Sequence, residues 1–163
     1  MSLADVEHEQ FKPTDHGGFD VIDITVFDTA LQKLEQDVNL HLLSSKRQEL
    51  ILIEFARNNY LRAFQQFSQK FLYDAFFLYL NVDQEVCKKR IRERIANPNT
   101  EHDFYVSEYI FSTYYYEDDG RFMSQILVNE HGVEKESVKV IDNNGFLSNS
   151  IAEIYQFVDT ICG

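Results

Sequence analysis

Two short apolar runs, each next to a stretch of helical periodicity, constrain the fold of this chain more than any other feature. The first, Leu50-Ile51-Leu52-Ile53-Glu54-Phe55-Ala56-Arg57, opens on four consecutive leucine and isoleucine residues. A run without polar alternation suits a strand covered on both faces, as central strands of parallel sheets are, so a strand is expected from Glu49 to Phe55. The second, Phe76-Phe77-Leu78-Tyr79-Leu80-Asn81, predicts a strand over Asp74 to Leu80. Between them Tyr60, Leu61, Phe64, Phe67, Phe71 and Leu72 predict one helix with an aromatic face, and Asp83 is the expected N-cap of a helix running through Ile95.

The rest of the chain continues the alternation. Met1 to Gln10 is polar and without periodicity, and residues 1–18 are expected to be a flexible segment, with Pro13, Asp15, Gly17 and Gly18 marking a turn. Phe19 to Val26 reads as a short strand. From Phe27 to about Ser44, the residues Ala30, Leu31, Leu34, Val38 and Leu42 predict an amphipathic helix. Pro98 stops the helix that follows Asp83, because proline disfavours helical geometry in the residue before it. Val106 to Tyr116 is expected to be helical, Ile126 to Val128 a small strand, and Val138 to Asp142 a better one. Ser148 is a candidate N-cap for a last helix containing Ile151, Ile154, Tyr155, Val158 and Ile161. Strands alternating with helices imply right-handed β-α-β units. The expected fold class is α/β: a three-layer α/β/α arrangement on a short, mainly parallel sheet, with residues 19–163 as one domain.

Charge and cysteine content exclude several classes of function. With 27 acidic against 15 basic residues the formal charge is -12, which repels nucleic-acid backbones and anionic membranes. Cys87 and Cys162 form no C-x-x-C pair, so no disulfide scaffold or thiolate metal site is expected. No apolar run approaches the ~18 residues of a membrane span, and no signal segment opens the sequence; a cytoplasmic location is expected.

Against that acidic background one segment inverts the sign. Lys88, Lys89, Arg90, Arg92 and Arg94 fall within seven positions, and Arg90 and Arg94, four apart, share one helix face. The plainer reading is a solvated face balanced by Glu85 and Glu93. The sharper one is a surface that meets a phosphate, with Lys89, Arg90 and Arg94 as its ligands. Ligands of open parallel sheets bind outside the carboxyl ends of the strands, where the first run would deliver Glu54 and Arg57. There a carboxylate can take a proton from an attacking hydroxyl and a guanidinium can clamp a phosphate, or the two can form an ion pair that merely orients the strand end. Other clusters are weaker. His102 with Glu101 and Asp103 is a run of adjacent residues that does not converge as spaced metal ligands do, and Tyr114 to Tyr116 reads as a packing face before a base-stacking one.

The succession of Glu54-Phe55-Ala56-Arg57, the strand to Asn81, the arginine helix, a polar lid-like stretch from Pro98 to Asp119, and Val138 to Asp142 before a terminal helix resembles the later portion of the nucleoside and nucleotide kinases of the P-loop fold. It spans roughly Asp20 to Cys162. The resemblance implies Glu54 and Arg57 as catalytic residues facing the acceptor, Lys89, Arg90 and Arg94 as phosphate ligands, and Asn143 and Asn144 in a loop that approaches the nucleotide base. It also implies ATP and Mg2+ as cofactors and a nucleotide or phosphate ester as the partner. The sequence departs from the family in lacking G-x-x-x-x-G-K-[ST], since none of its six glycines has that spacing. The chain is therefore expected not to bind ATP tightly or to transfer phosphate alone, either because it begins downstream of that loop or because the loop has been lost. The alternative is an interaction or structural protein on the same framework. Val21 to Val26, or a second copy of the chain, is expected to complete the sheet.

Overall fold

The computed structural model describes residues 10–13, 19–47, 49–97, 110–112 and 119–162. It is a mixed α/β chain with small sheets that divides into two compact units, Met1–Ala56 and Arg57–Gly163.

In the first unit, strands β1 (Phe11–Pro13) and β2 (Phe19–Val21) pair antiparallel with Phe11 opposite Val21. The expected strand to Val26 stops at Val21 because Asp23 starts a helix instead: its carboxylate accepts the N–H of Thr25 at 2.9 Å and the hydroxyl of Thr25 at 2.7 Å. Helix α1 then runs Thr25–Ser44, close to the span its periodicity predicts, with Leu31 buried. From the last turn of α1 the His41 ring meets the Glu49 carboxylate at 2.7 Å, which holds the Glu49 carboxyl below its usual range.

The expected strand over Glu49 to Phe55 does not form. Residues 49–57 have no regular secondary structure, and Leu50 and Leu52 are 67% and 88% exposed. The side chains suit a strand, but a strand exists only in a ladder, and among the described residues none runs beside this segment. Glu54 and Arg57 are therefore not carried at a strand end.

In the second unit, the helix expected across Tyr60 to Leu72 is two helices, α2 (Tyr60–Phe64) and α3 (Gln69–Tyr73). Each has its own side-chain cap: Asn59 accepts the Arg62 N–H at 2.7 Å and Ser68 the Phe71 N–H at 3.2 Å. Asp119 adds a distant cap, its carboxylate accepting the N–H of Tyr60 at 2.5 Å and of Leu61 at 3.1 Å. Strand β3 (Phe77–Asn81) leads into α4 (Gln84–Ala96) after Asp83, as expected, although the Asp83 side chain makes no capping bond.

A 3-10 turn at Gly120–Phe122 precedes α5 (Met123–His131), which replaces the expected strand at Ile126 to Val128. The apolar triplet fits a helix because Met123 and Leu127, four apart, both enter the core. The helix ends at Gly132, whose φ of 68° is a left-handed conformation suited to glycine, and Val133 N–H closes back on Leu127 O at 3.1 Å. Strand β4 (Val138–Asp142) lies where expected. Helix α6 (Leu147–Cys162) begins at Leu147, so Ser148 is inside it and not its cap.

β3 and β4 are parallel, with Phe77 opposite Val138 and Asn81 opposite Asp142. Helices cover both faces of the pair. On one, Phe77 meets Phe64 edge-on at 5.6 Å and Tyr79 meets Tyr60 at 5.6 Å; on the other, Phe76 meets Phe157 of α6 at 6.4 Å and Lys139 pairs with Glu153 at 3.0 Å. The core of this unit is Ala63, Phe64, Leu72, Leu127 and Ile141, all essentially inaccessible. No helix among the described residues is long and apolar enough to cross a membrane.

Candidate functional site

The parallel register sets where a ligand site can form, because it brings the carboxyl ends of β3 and β4 level. The N–H of Asn143 donates to Asn81 O at 2.7 Å, extending the ladder one step past the strands. Asn144 then turns back: its N–H and its Nδ2 donate to the Asp142 carboxylate at 3.0 and 2.8 Å, and its Oδ1 accepts the N–H of Asp83 at 2.6 Å. Buried Ser150 of α6 donates toward Asn143 Oδ1 at 3.2 Å. Asn143 and Asn144, expected to approach a nucleotide base, thus have their side-chain oxygens committed to holding the two strand ends and the start of α4.

Helix α4 leaves this edge carrying five cations against two acids. Lys88 and Lys89 are drawn to its own carboxylates, at 3.6 Å from Glu85 and 3.8 Å from Glu93, and the Lys88 ammonium also sits 5.0 Å from the centre of the Phe111 ring. Arg90 and Arg94 line a pocket of about 240 Å³ with Val82, Cys87 and Ile91. The spacing 87, 90, 91, 94 is one helix face, so two guanidiniums stand beside a floor formed by Val82, the Cys87 thiol and Ile91. Lys89, expected with them, is not part of that lining. Burial pushes the Cys87 thiol up, and the nearby Arg94 and Arg90 charges pull against that shift. Both cysteines are free thiols.

The remaining expected residues lie elsewhere. Glu54 is exposed on the irregular segment of the first unit, and Arg57 is buried at the start of the second, 6% exposed. His102 with its acidic neighbours, Tyr114 to Tyr116, and most of the lid-like stretch from Pro98 to Asp119 lie outside the described residues. Sequence reasoning missed Val82, Cys87 and Ile91, although the helical spacing of Cys87, Arg90, Ile91 and Arg94 was there to be read. It also missed Asp119, whose capping role depends on a loop brought from 59 residues away.

Chemically, the pocket sets the guanidinium-bearing side chains of Arg90 and Arg94 beside the apolar side chains of Val82 and Ile91. Its volume lies below the ~300–1,000 Å³ of pockets that enclose a whole drug-sized ligand. A pocket of that size does not enclose a whole nucleotide. No family model matches the chain, and neither the curated proteins nor the solved structures contain a match.

Proposed function

We propose that this chain is a nucleotide or nucleoside kinase-like domain of three-layer α/β/α type, and that it holds the phosphate of a small ester between Arg90 and Arg94. The observation that carries this reading is the pocket of Arg90, Arg94, Val82, Cys87 and Ile91, which starts where parallel strand β3 ends. Parallel sheets place their ligands at that edge, and arginine is the side chain best suited to a phosphate because its planar donors engage two oxygens at once.

On this reading the chain by itself does not transfer phosphate from ATP. The reaction needs a backbone cradle and a lysine to neutralise the β and γ phosphates, and no glycine in the sequence has the spacing to form one. The reading rests on the arginine pocket and asks nothing of Glu54 and Arg57.

Calorimetric titration tests it. AMP, ADP and ATP with Mg2+ are expected to bind weakly but saturably, and the Arg90→Ala/Arg94→Ala variant is expected to bind at least tenfold more weakly, since each charge-assisted bond contributes about 1.5 kcal/mol or more. No saturable heat with any of the three would overturn it. The second reading, an interaction protein on the same framework, is favoured by the exposed apolar side chains of Leu78 and Leu80 on β3 and of Phe76 just before it, and it predicts that null titration.

A further inference from the structure

Helix α4 keeps apolar surface open beside its arginines. All 13 of its residues are described and none of them is buried. Cys87 and Ile91, four apart, lie on the face that carries Arg90 and Arg94, and with Val82 just before the helix they are only half-buried. The pocket they line with the two arginines is apolar and cationic at once.

Volume and lining together limit what fits. The pocket of about 240 Å³ has room for about eight water-sized groups at ~30 Å³ each, and a phosphate, one phosphorus with four oxygens, fills only about half of that. The rest is lined by side chains poorly suited to a sugar. Arginine has donors and no acceptor, a thiol is weak in both roles, and valine and isoleucine have neither. A sugar hydroxyl placed there finds no strong side-chain acceptor for its proton and gives up one in water. An apolar group in the same place gives up nothing and is itself removed from water.

We propose that the ester held by Arg90 and Arg94 is the phosphate monoester of a compact apolar alcohol or phenol, with its apolar body on Val82 and Ile91. The two halves of such a ligand support each other. An apolar body that displaces water from beside the arginines strengthens their attraction for the phosphate, and a ring is drawn further by the guanidinium charge. A nucleotide is a poorer fit, because its ribose follows directly on the phosphate. This inference deepens the phosphate reading given above and rests on it.

Heteronuclear NMR titration of the whole chain tests it with three probes, methyl phosphate, ribose phosphate and phenyl phosphate, following the amides of Val82 to Arg94. Phenyl phosphate is expected to bind about tenfold more tightly than methyl phosphate, and ribose phosphate no more tightly than methyl phosphate. In the Val82→Thr/Ile91→Thr variant, which keeps the branched shapes and adds hydroxyls, the advantage of phenyl phosphate is expected to disappear while methyl phosphate binds as before. Equal binding of the phenyl and methyl esters by the wild-type chain would overturn this proposal and leave the phosphate reading standing, and so would ribose phosphate binding most tightly. A preference for phenyl phosphate that survives in the threonine variant would also overturn it. No shift with any of the three would overturn both. The ranking in the wild-type chain decides the matter even where the threonine variant fails to fold.

Discussion

The Asn144 side-chain oxygen accepts the backbone N–H of Asp83 at 2.6 Å, across 61 residues of sequence. One bond thereby ties the turn after β4 to the first residue before α4, and fixes the helix that carries Arg90 and Arg94 against the sheet. The same side chain donates to Asp142 at 2.8 Å, so its orientation is set from both ends.

Removing that side chain should loosen the arginine helix at its root. Asn144→Ala leaves the Asp83 N–H without its cap and is expected to cost about 1 kcal/mol, or about 2–4 °C of Tm for a chain of this size. Thermal unfolding followed by circular dichroism checks this. An unchanged Tm would mean that water replaces the amide at no cost.

Gly120 lies directly against the Tyr79 ring. A Cβ placed there would lie 2.1 Å from Tyr79 Cζ, so Gly120→Ala must displace the ring that packs on Tyr60. The expected cost is about 1–3 kcal/mol, as for overpacking a filled core. In a Tyr79→Leu background the same substitution should cost less, because the atoms it strikes are gone, and a double-mutant cycle reads the difference.

His131 gives the second unit a pH dependence. Its ring lies edge-on to Phe64 at 6.2 Å, and its Nε2 is buried without a hydrogen-bond partner among the described residues. Burial lowers its pKa from 6.5, against the opposing pull of Glu130. The folded state therefore binds a proton less readily than the unfolded chain. The contribution to stability is complete above 6.5 and is lost as the pH falls from there through the lowered value. Unfolding by urea at neutral pH and about one unit below 6.5 should show that loss, and His131→Gln should reduce it.

What could be read from the sequence were the elements whose signals are local. Helix α1 follows from its apolar spacing, α4 from Asp83 and the run after it, and β4 from Val138 to Asp142. Ile126 to Val128 was ambiguous because three apolar residues satisfy either period, and only burial of Met123 with Leu127 decides for a helix. Leu50 to Phe55 has the composition of a strand without a ladder to join, and ladder partners are a tertiary property. The site divides in the same way. Arg90 and Arg94 were visible as a pair four residues apart, whereas the Asn144 and Asp119 caps exist only once the fold brings distant loops together.

If a phosphate ester sits between Arg90 and Arg94, as proposed, Cys87 reports on it directly. Its thiol lines the same pocket, while Cys162 lies exposed on the terminal helix and serves as an internal control. An anion there should shield the thiol and, by offsetting the arginine charges, raise its pKa further. The measurement is the alkylation rate of each cysteine by iodoacetamide, resolved by peptide mass spectrometry, with and without ADP. The account predicts slower modification of Cys87 with Cys162 unchanged, and loss of that protection in Arg90→Ala/Arg94→Ala. Equal rates at Cys87 with and without saturating ADP would contradict it.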